Sequence, residues 1–322
     1  MLSEANWHIF SCLGKSLLFD VKTGGLHELD SVGKEVALAY RDNTPQLQVE
    51  KRLSPVYGGQ VVAEAYEELD DMVTCGLLSH PNDKDEEYTP SEETIVKALC
   101  LHVAHDCNLR CKYCFGKTGN FGMTRELMPL SVATASIDLL LDKSGPRHNL
   151  NVDFFGGEPL LNFDVVKDAV KYGEEKANAL GKHVDFTVTT NCVLLDEEVI
   201  SFVNEHNMLV VLSLDGRKEV NDKMRVMPGG NGSYDRVIPG LAKCISTRDP
   251  NSYYVRATYT RHNLDFTSDV LHLADLGARS ISTEPVIGGG DREYGIQPED
   301  ISTIEAEYEN LLRLFVERHK QG

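Results

Sequence analysis

The chain has 322 residues, 41% hydrophobic and 25% charged, enough for a large core plus a smaller second unit. Its formal net charge of −18 repels a phosphate backbone and argues against a nucleic-acid partner. No apolar run approaches the roughly 20 residues that span a bilayer, and the first ten residues have neither a basic flank nor a long apolar stretch. Neither a membrane span nor a secretory signal is therefore expected, and the location expected is cytoplasmic.

The N-terminal part reads as a small unit of its own. Apolar stretches at His8–Cys12 and Ser16–Val21 flank a turn at Gly14-Lys15. Thr23-Gly24-Gly25 makes a second turn, and Leu26–Leu29 returns as a third strand. Ser31 is predicted as the N-cap of a helix carrying Val32, Val36 and Leu38, and Val61–Cys75 as a second helix stopped by Gly76. The acidic stretch Pro81–Pro90, with two prolines, reads as linker, giving domains at 1–80 and 95–322 joined by 81–94.

From Ile95 the pattern changes. Six apolar strands are predicted, at Lys97–His105, Asn151–Phe155, His183–Thr190, Leu209–Leu214, Tyr253–Thr260 and Ser280–Val286. Amphipathic helices are predicted at Ser131–Asp142, Phe163–Leu180, Asp196–His206, Tyr234–Thr247, Phe266–Leu276 and Pro298–Lys320. Strict alternation implies a parallel sheet with right-handed crossovers. Six units suit a partial, TIM-like (β/α)6 barrel rather than a complete one, and the predicted fold class is α/β. The unusual polar motifs all fall at predicted strand ends, where such barrels carry their chemistry.

Three of the eight cysteines crowd into the first strand–helix loop as Cys107-x3-Cys111-x2-Cys114, and Cys12, Cys75, Cys100, Cys192 and Cys244 are scattered. Without a secretory signal this is a metal-ligand pattern rather than a disulfide framework. Thiolates are the usual ligands of iron–sulfur clusters, and three cysteines leave one of four irons open to bind a small molecule. A structural zinc with His105 or Cys100 as fourth ligand stays open on spacing alone. Further polar motifs follow the next strands. They are Gly156-Gly157-Glu158-Pro159, whose glycines admit close approach of a ligand and whose carboxylate accepts from an ammonium group; Thr189-Thr190-Asn191; and Ser213-Leu214-Asp215-Gly216, with Ser213 and Asp215 on one face. Arg225 lies in the segment 221–232 and also fits a surface salt bridge. Glu284-Pro285 ends the sixth strand without an assigned role, and the lone Cys192 reads as core.

CxxxCxxC, with Tyr113 before the last cysteine and Phe115 after it, resembles the signature of the radical S-adenosylmethionine (SAM) superfamily. The resemblance implies a [4Fe–4S] cluster on Cys107, Cys111 and Cys114, with SAM on the open iron and cleaved reductively to a 5′-deoxyadenosyl radical that abstracts hydrogen. It implies that SAM is bordered by Tyr113, Phe115, Gly156, Gly157, Glu158, Pro159, Thr190, Asn191, Ser213, Asp215 and Arg225. The fuller stretch Leu99–Gly116, with Gly119 and Gly122, resembles maturases of six-cysteine (SCIFF) precursor peptides. These implications are thioether formation between a cysteine sulfur and a carbon of another residue, and a flavodoxin- or ferredoxin-type reductant. The N-terminal unit is similar to the winged-helix-like, PqqD-like peptide-recognition element. Residues 1–90 carry seven Lys/Arg against sixteen Asp/Glu, a sign unsuited to DNA reading. A leader peptide is expected instead on the strand edge at Leu26–Leu29; a purely structural cap on the barrel is the other reading. No cysteine follows Cys244, so the cysteine-rich SPASM or Twitch domain of thioether-forming relatives is expected to be absent, the sequence being either a truncated form or a protein without auxiliary clusters. A sulfatase-maturase-like peptide oxidase and a non-catalytic, metal-stabilised peptide-binding module remain as alternatives.

Overall fold

The computed structural model describes residues 5–84, 94–288 and 290–321. Most of the predicted linker, at 85–93, lies outside the described residues. The chain divides into two compact units, Met1–Ser91 with Phe315–Gly322, and Glu92–Leu314. Among the described residues no helix is long and apolar enough to cross a membrane.

In the first unit, β1 (Trp7–Cys12), β2 (Lys15–Asp20) and β3 (Leu26–Leu29) form an antiparallel sheet in that order. Helices α1 (Ser31–Arg41), α2 (Gln46–Tyr57) and α3 (Gly59–Thr74) follow. Trp7, Leu18, Val36, Leu53, Val62 and Tyr66 pack as the core. Asp20 is fully buried and accepts hydrogen bonds from Ser79 N and Ser79 Oγ, fastening the end of the unit to its second strand. Two expectations change here. Asp30, not Ser31, caps α1, because its carboxylate accepts from Gly33 N at 2.7 Å while Ser31 is already helical. Helix α2 was not predicted from the sequence. It carries Pro55 in its last turn and buries only Val49 and Leu53, so neither periodicity nor composition announces it.

The second unit alternates as expected. It runs β4 (Ala98–Ala104), α4 (Leu130–Lys143), β5 (Asn149–Gly156), α5 (Phe163–Ala179), β6 (His183–Thr190), α6 (Glu197–Glu205) and β7 (Leu209–Ser213). Then come α7 (Lys218–Met224), α8 (Tyr234–Ser246), β8 (Tyr253–Tyr259), α9 (Phe266–Asp275), β9 (Ile281–Pro285) and α10 (Ile301–Gln321), whose residues from Phe315 onward are counted with the first unit. The six strands are parallel and lie in chain order, β4 to β9, as an open sheet. The partial TIM-like barrel is therefore borne out. Alternate residues such as Val255 and Ala257 of β8 are buried in the shared core with Ile137, Val170 and Leu241 of the helices. Their neighbours Arg256 and Thr258 are left on the other face of the strand. Helix α7 is an extra element between β7 and α8, too short at seven residues to show a period. It brings the segment around Arg225 against the cysteine loop.

Candidate active site

The cysteine loop leaves β4 at Ala104 and returns at Leu127, where the two residues pair antiparallel; His105 N donates to Glu126 O and Met128 N to Val103 O. Its interior is stitched to two other strand ends. Arg110 N donates to Val226 O at 2.7 Å and Lys112 N to Met224 O at 2.9 Å, which fixes the loop to the segment after α7. Gly157 N donates to Ala104 O and Glu158 N to Asp106 O, which fixes it to the end of β5. An ion pair of Arg125 with Asp106 closes the outer side.

This close seating explains the glycines. A Cβ on Gly157 would lie 2.1 Å from Asp106 O, and one on Gly156 2.4 Å from Ala104 O. Gly119, at φ +93°, would place a Cβ 2.6 Å from that of Cys107. The sequence expectation was that Gly156-Gly157 admits a ligand. The structure shows that the glycines also admit the cysteine loop itself, backbone on backbone.

One cavity at the C-terminal ends of the strands is lined by all three thiols. Tyr113, Phe115, Gly156, Gly157, Thr190, Asn191, Ser213 and Arg225 border it too. Around Cys107 the donors are already in place: Leu109 N lies 3.4 Å and Asn191 Nδ2 3.5 Å from Sγ. Burial pushes the Cys107 thiol up to about 11, against the pull of the Leu109 N–H, and burial likewise raises Cys111, with the Arg225 guanidinium opposing it. Such buried thiols become thiolates when a metal replaces the proton. Asn108 Nδ2 beside Cys107 is a buried donor with no partner among the described residues. The donor set fits a cluster. Also among the described residues, no three His, Cys, Asp or Glu side chains gather closely enough to hold a single metal ion. Cys100, offered above as a fourth zinc ligand, sits on β4 with Sγ 3.9 Å from Asp153 Oδ2.

Three of the singled-out residues lie behind this cavity. Glu158 is fully buried and its carboxylate accepts from Leu160 N (3.0 Å), Thr190 Oγ1 (2.8 Å) and Asn191 N (2.8 Å). Both oxygens are thus occupied in tying the β5 end to the β6 end, where the sequence suggested an ammonium partner. Pro159 is buried as the first residue of a short 3-10 turn, Pro159–Asn162. Asp215 is buried and accepts from Tyr113 Oη at 2.7 Å and Thr258 N at 3.2 Å. Arg225 Nη1 donates to Tyr113 Oη at 2.8 Å and lies 3.8 Å from Asp215 Oδ1. Arg225 is therefore part of a buried Asp–Tyr–Arg triad and not a surface salt bridge. Burial pushes the Asp215 carboxyl up, and Arg225 and the Tyr113 hydroxyl pull it down.

Sequence reasoning missed the buried polar residues near this triad. Asn221, fully buried, donates to Ser233 Oγ, which donates to the Arg225 carbonyl at 2.7 Å. Asp269 accepts from Arg217 N, Arg217 Nε and Asn263 Nδ2, and the close approach of its side chain requires Gly216. Their partners are 6 to 52 positions away, so no local spacing marks them. Cys192, read as core, is buried there.

With this geometry in hand, the relatives can be placed beside it. The 4Fe-4S single cluster domain family matches residues 97–239. A cysteine-type anaerobic sulfatase-maturating enzyme from Clostridium novyi (strain NT) is 30% identical over 151 residues, which cover 44% of this chain and 38% of the relative. The radical SAM cyclopropyl synthase TigE of Paramaledivibacter caminithermalis is 24% identical over 231 residues, 68% of this chain and 44% of the relative. The solved structure of native anSMEcpe with bound AdoMet superposes with a TM-score of 0.62 at 20% identity, over 70% of this chain and 62% of that one. The same protein with AdoMet and Cp18Cys peptide gives 0.61. At that identity the superposition shows the fold. The matched cluster segment contains Cys107, Cys111 and Cys114, and the superposed structure shares the barrel fold. The chain spans less than half the length of these two curated relatives.

Proposed function

We propose that the chain is a peptide-modifying radical SAM enzyme, with the barrel as catalytic unit and the N-terminal unit as a PqqD-like reader of a leader peptide. The observation that carries this is the single cavity shared by three thiols, two backbone-exposing glycines, Asn191, Ser213 and Arg225. When bound, the cofactor pair supplies a 5′-deoxyadenosyl radical able to take hydrogen from an unactivated carbon. The chain's own residues do the rest. Cys107, Cys111 and Cys114 hold the cluster. The Gly156-Gly157 backbone, Thr190, Asn191 and Ser213 border the nucleoside-linked methionine, with Tyr113 and Phe115 as apolar walls. Arg225 keeps guanidinium N–H groups beyond the one given to Tyr113 for a carboxylate. Asp215 and Glu158 act as positioning residues through Tyr113, Thr190 and Asn191.

The substrate proposed is a cysteine-rich precursor peptide of the SCIFF type, and the product a thioether. Closing it takes one hydrogen from carbon, which leaves in 5′-deoxyadenosine, and a proton and one electron from the thiol. The electron passes to a flavodoxin- or ferredoxin-type protein, which also serves as reductant. The peptide-bound neighbour and the sulfatase-maturating relative support a peptide substrate. The latter also favours a second reading, oxidation of a single cysteine. Mass spectrometry separates the two, since a thioether leaves the sulfur in place, linked to a second residue and resistant to alkylation.

The test is the triple variant Cys107→Ala, Cys111→Ala, Cys114→Ala after anaerobic reconstitution. It is expected to retain the far-ultraviolet spectrum of the parent and to lose bound iron and 5′-deoxyadenosine formation with dithionite and SAM. A triple variant that keeps iron and SAM cleavage overturns the assignment.

A further inference from the structure

The N-terminal unit carries a groove of its own between β3 and α3, floored by Leu29, Val32, Leu69 and Met72. Among the described residues β3 pairs only with β2, so its outer edge offers unpaired backbone groups to an added strand. Leu26 (59% exposed) and Val61 (43%) stand at the rim as large apolar side chains in water.

The groove is acidic on every side. Glu28, Asp30, Glu64 and Glu68 line it, and no lysine or arginine does. Glu28 is paired with Lys15, Asp30 caps α1 and Glu64 accepts from Gln60 Nε2, but among the described residues neither Glu64 nor Glu68 is ion-paired. They lie four residues apart on the exposed face of α3, whose sequence holds five acids and no base. Like charges at that spacing weaken a helix. A bound cation removes that repulsion, and extended peptides with Lys or Arg on one face and apolar residues on the other match both floor and rim.

We infer that this groove binds a basic, strand-forming leader: alternating apolar and Lys/Arg residues laid along β3, with the cations over Glu64 and Glu68. The inference rests on the peptide-recognition reading of this unit and adds the charge of the partner. It also gives a net negative enzyme an attraction that discriminates among peptides.

The experiment uses the full chain and two labelled synthetic peptides of equal length, one alternating valine with lysine and one alternating valine with glutamate. Fluorescence anisotropy is expected to show the lysine peptide binding at least tenfold more tightly at low salt, with affinity falling as salt rises. Glu64→Lys with Glu68→Lys is expected to reverse the preference, and Val61→Asp to weaken the lysine peptide. Equal binding of the two peptides, both sensitive to Val61→Asp, overturns the charge inference and leaves the edge-binding reading standing. No binding of either peptide overturns both.

Discussion

At the barrel mouth, Arg225 and Asp215 keep 8% and 1% of their surfaces exposed and meet through the Tyr113 hydroxyl. In the N-terminal groove, Glu64 and Glu68 stand in solvent on the open face of a helix. The two regions gather charge for opposite ends. Buried charges are costly to desolvate and survive only when each has its partner, so the mouth is rigid and fixed in geometry. Exposed charges are cheap, screened by salt and free to meet an incoming partner, so the groove suits recognition. The two regions thus set the same residue types in different dielectric surroundings, one suited to the proposed chemistry and the other to the proposed reading of a peptide.

The largest effect should come from breaking the buried triad. Arg225→Met leaves Asp215 and the Tyr113 hydroxyl without their cation, and a loss of about 3–5 kcal/mol in urea unfolding is expected. A loss below about 1 kcal/mol, the range of an exposed pair, would erase the contrast drawn above.

Next in size is Gly157→Ala. Its methyl would fall 2.1 Å from the Asp106 carbonyl, so the loop must shift. About 1–3 kcal/mol of destabilisation is expected, as for an overpacked core, together with lower iron retention on gel filtration. Gly14→Ala provides the comparison in the other unit, since nothing lies within 4 Å of its added methyl and only the φ of +76° resists it. Iron retention is expected to be unchanged there.

The smallest effect is at Asp20, the buried anchor of the N-terminal unit. Burial pushes its carboxyl up, but hydrogen bonds from Ser79 N, Ser79 Oγ and Lys22 N outweigh that and hold it below the usual range. A carboxyl lowered in the folded state stabilises above its unfolded pKa, about 3.9, and that stabilisation is lost as pH falls through the folded value. The N-terminal unit is therefore expected to weaken in acid below about pH 4. Asp20→Asn should cost about 1–2 kcal/mol at neutral pH and flatten that acid limb, read by Trp7 fluorescence. An unaltered acid limb in the variant would assign the pH dependence elsewhere.

How much of this was legible beforehand follows from distance along the chain. The strands β4 to β9 and most of their helices showed in the period of their apolar residues, since one face of each is buried in a common core. The three cysteines and the strand-end motifs showed as well, because each is a short contiguous string. Helices α2 and α7 did not, one holding a proline and burying two apolar residues, the other only seven residues long.

The sequence by itself determined the class of fold, the three thiols and the set of strand ends on which polar residues sit, because these depend on local spacing and on a hydrophobic period. Only the tertiary structure decided that Glu158 ties two strand ends together, that Arg225 is buried against Tyr113 and Asp215, and that Gly156 and Gly157 seat a loop. Those roles are set by which groups burial brings together from positions up to 112 residues apart. Burial charges a penalty for every unpaired polar atom, and that penalty is invisible until the partners meet.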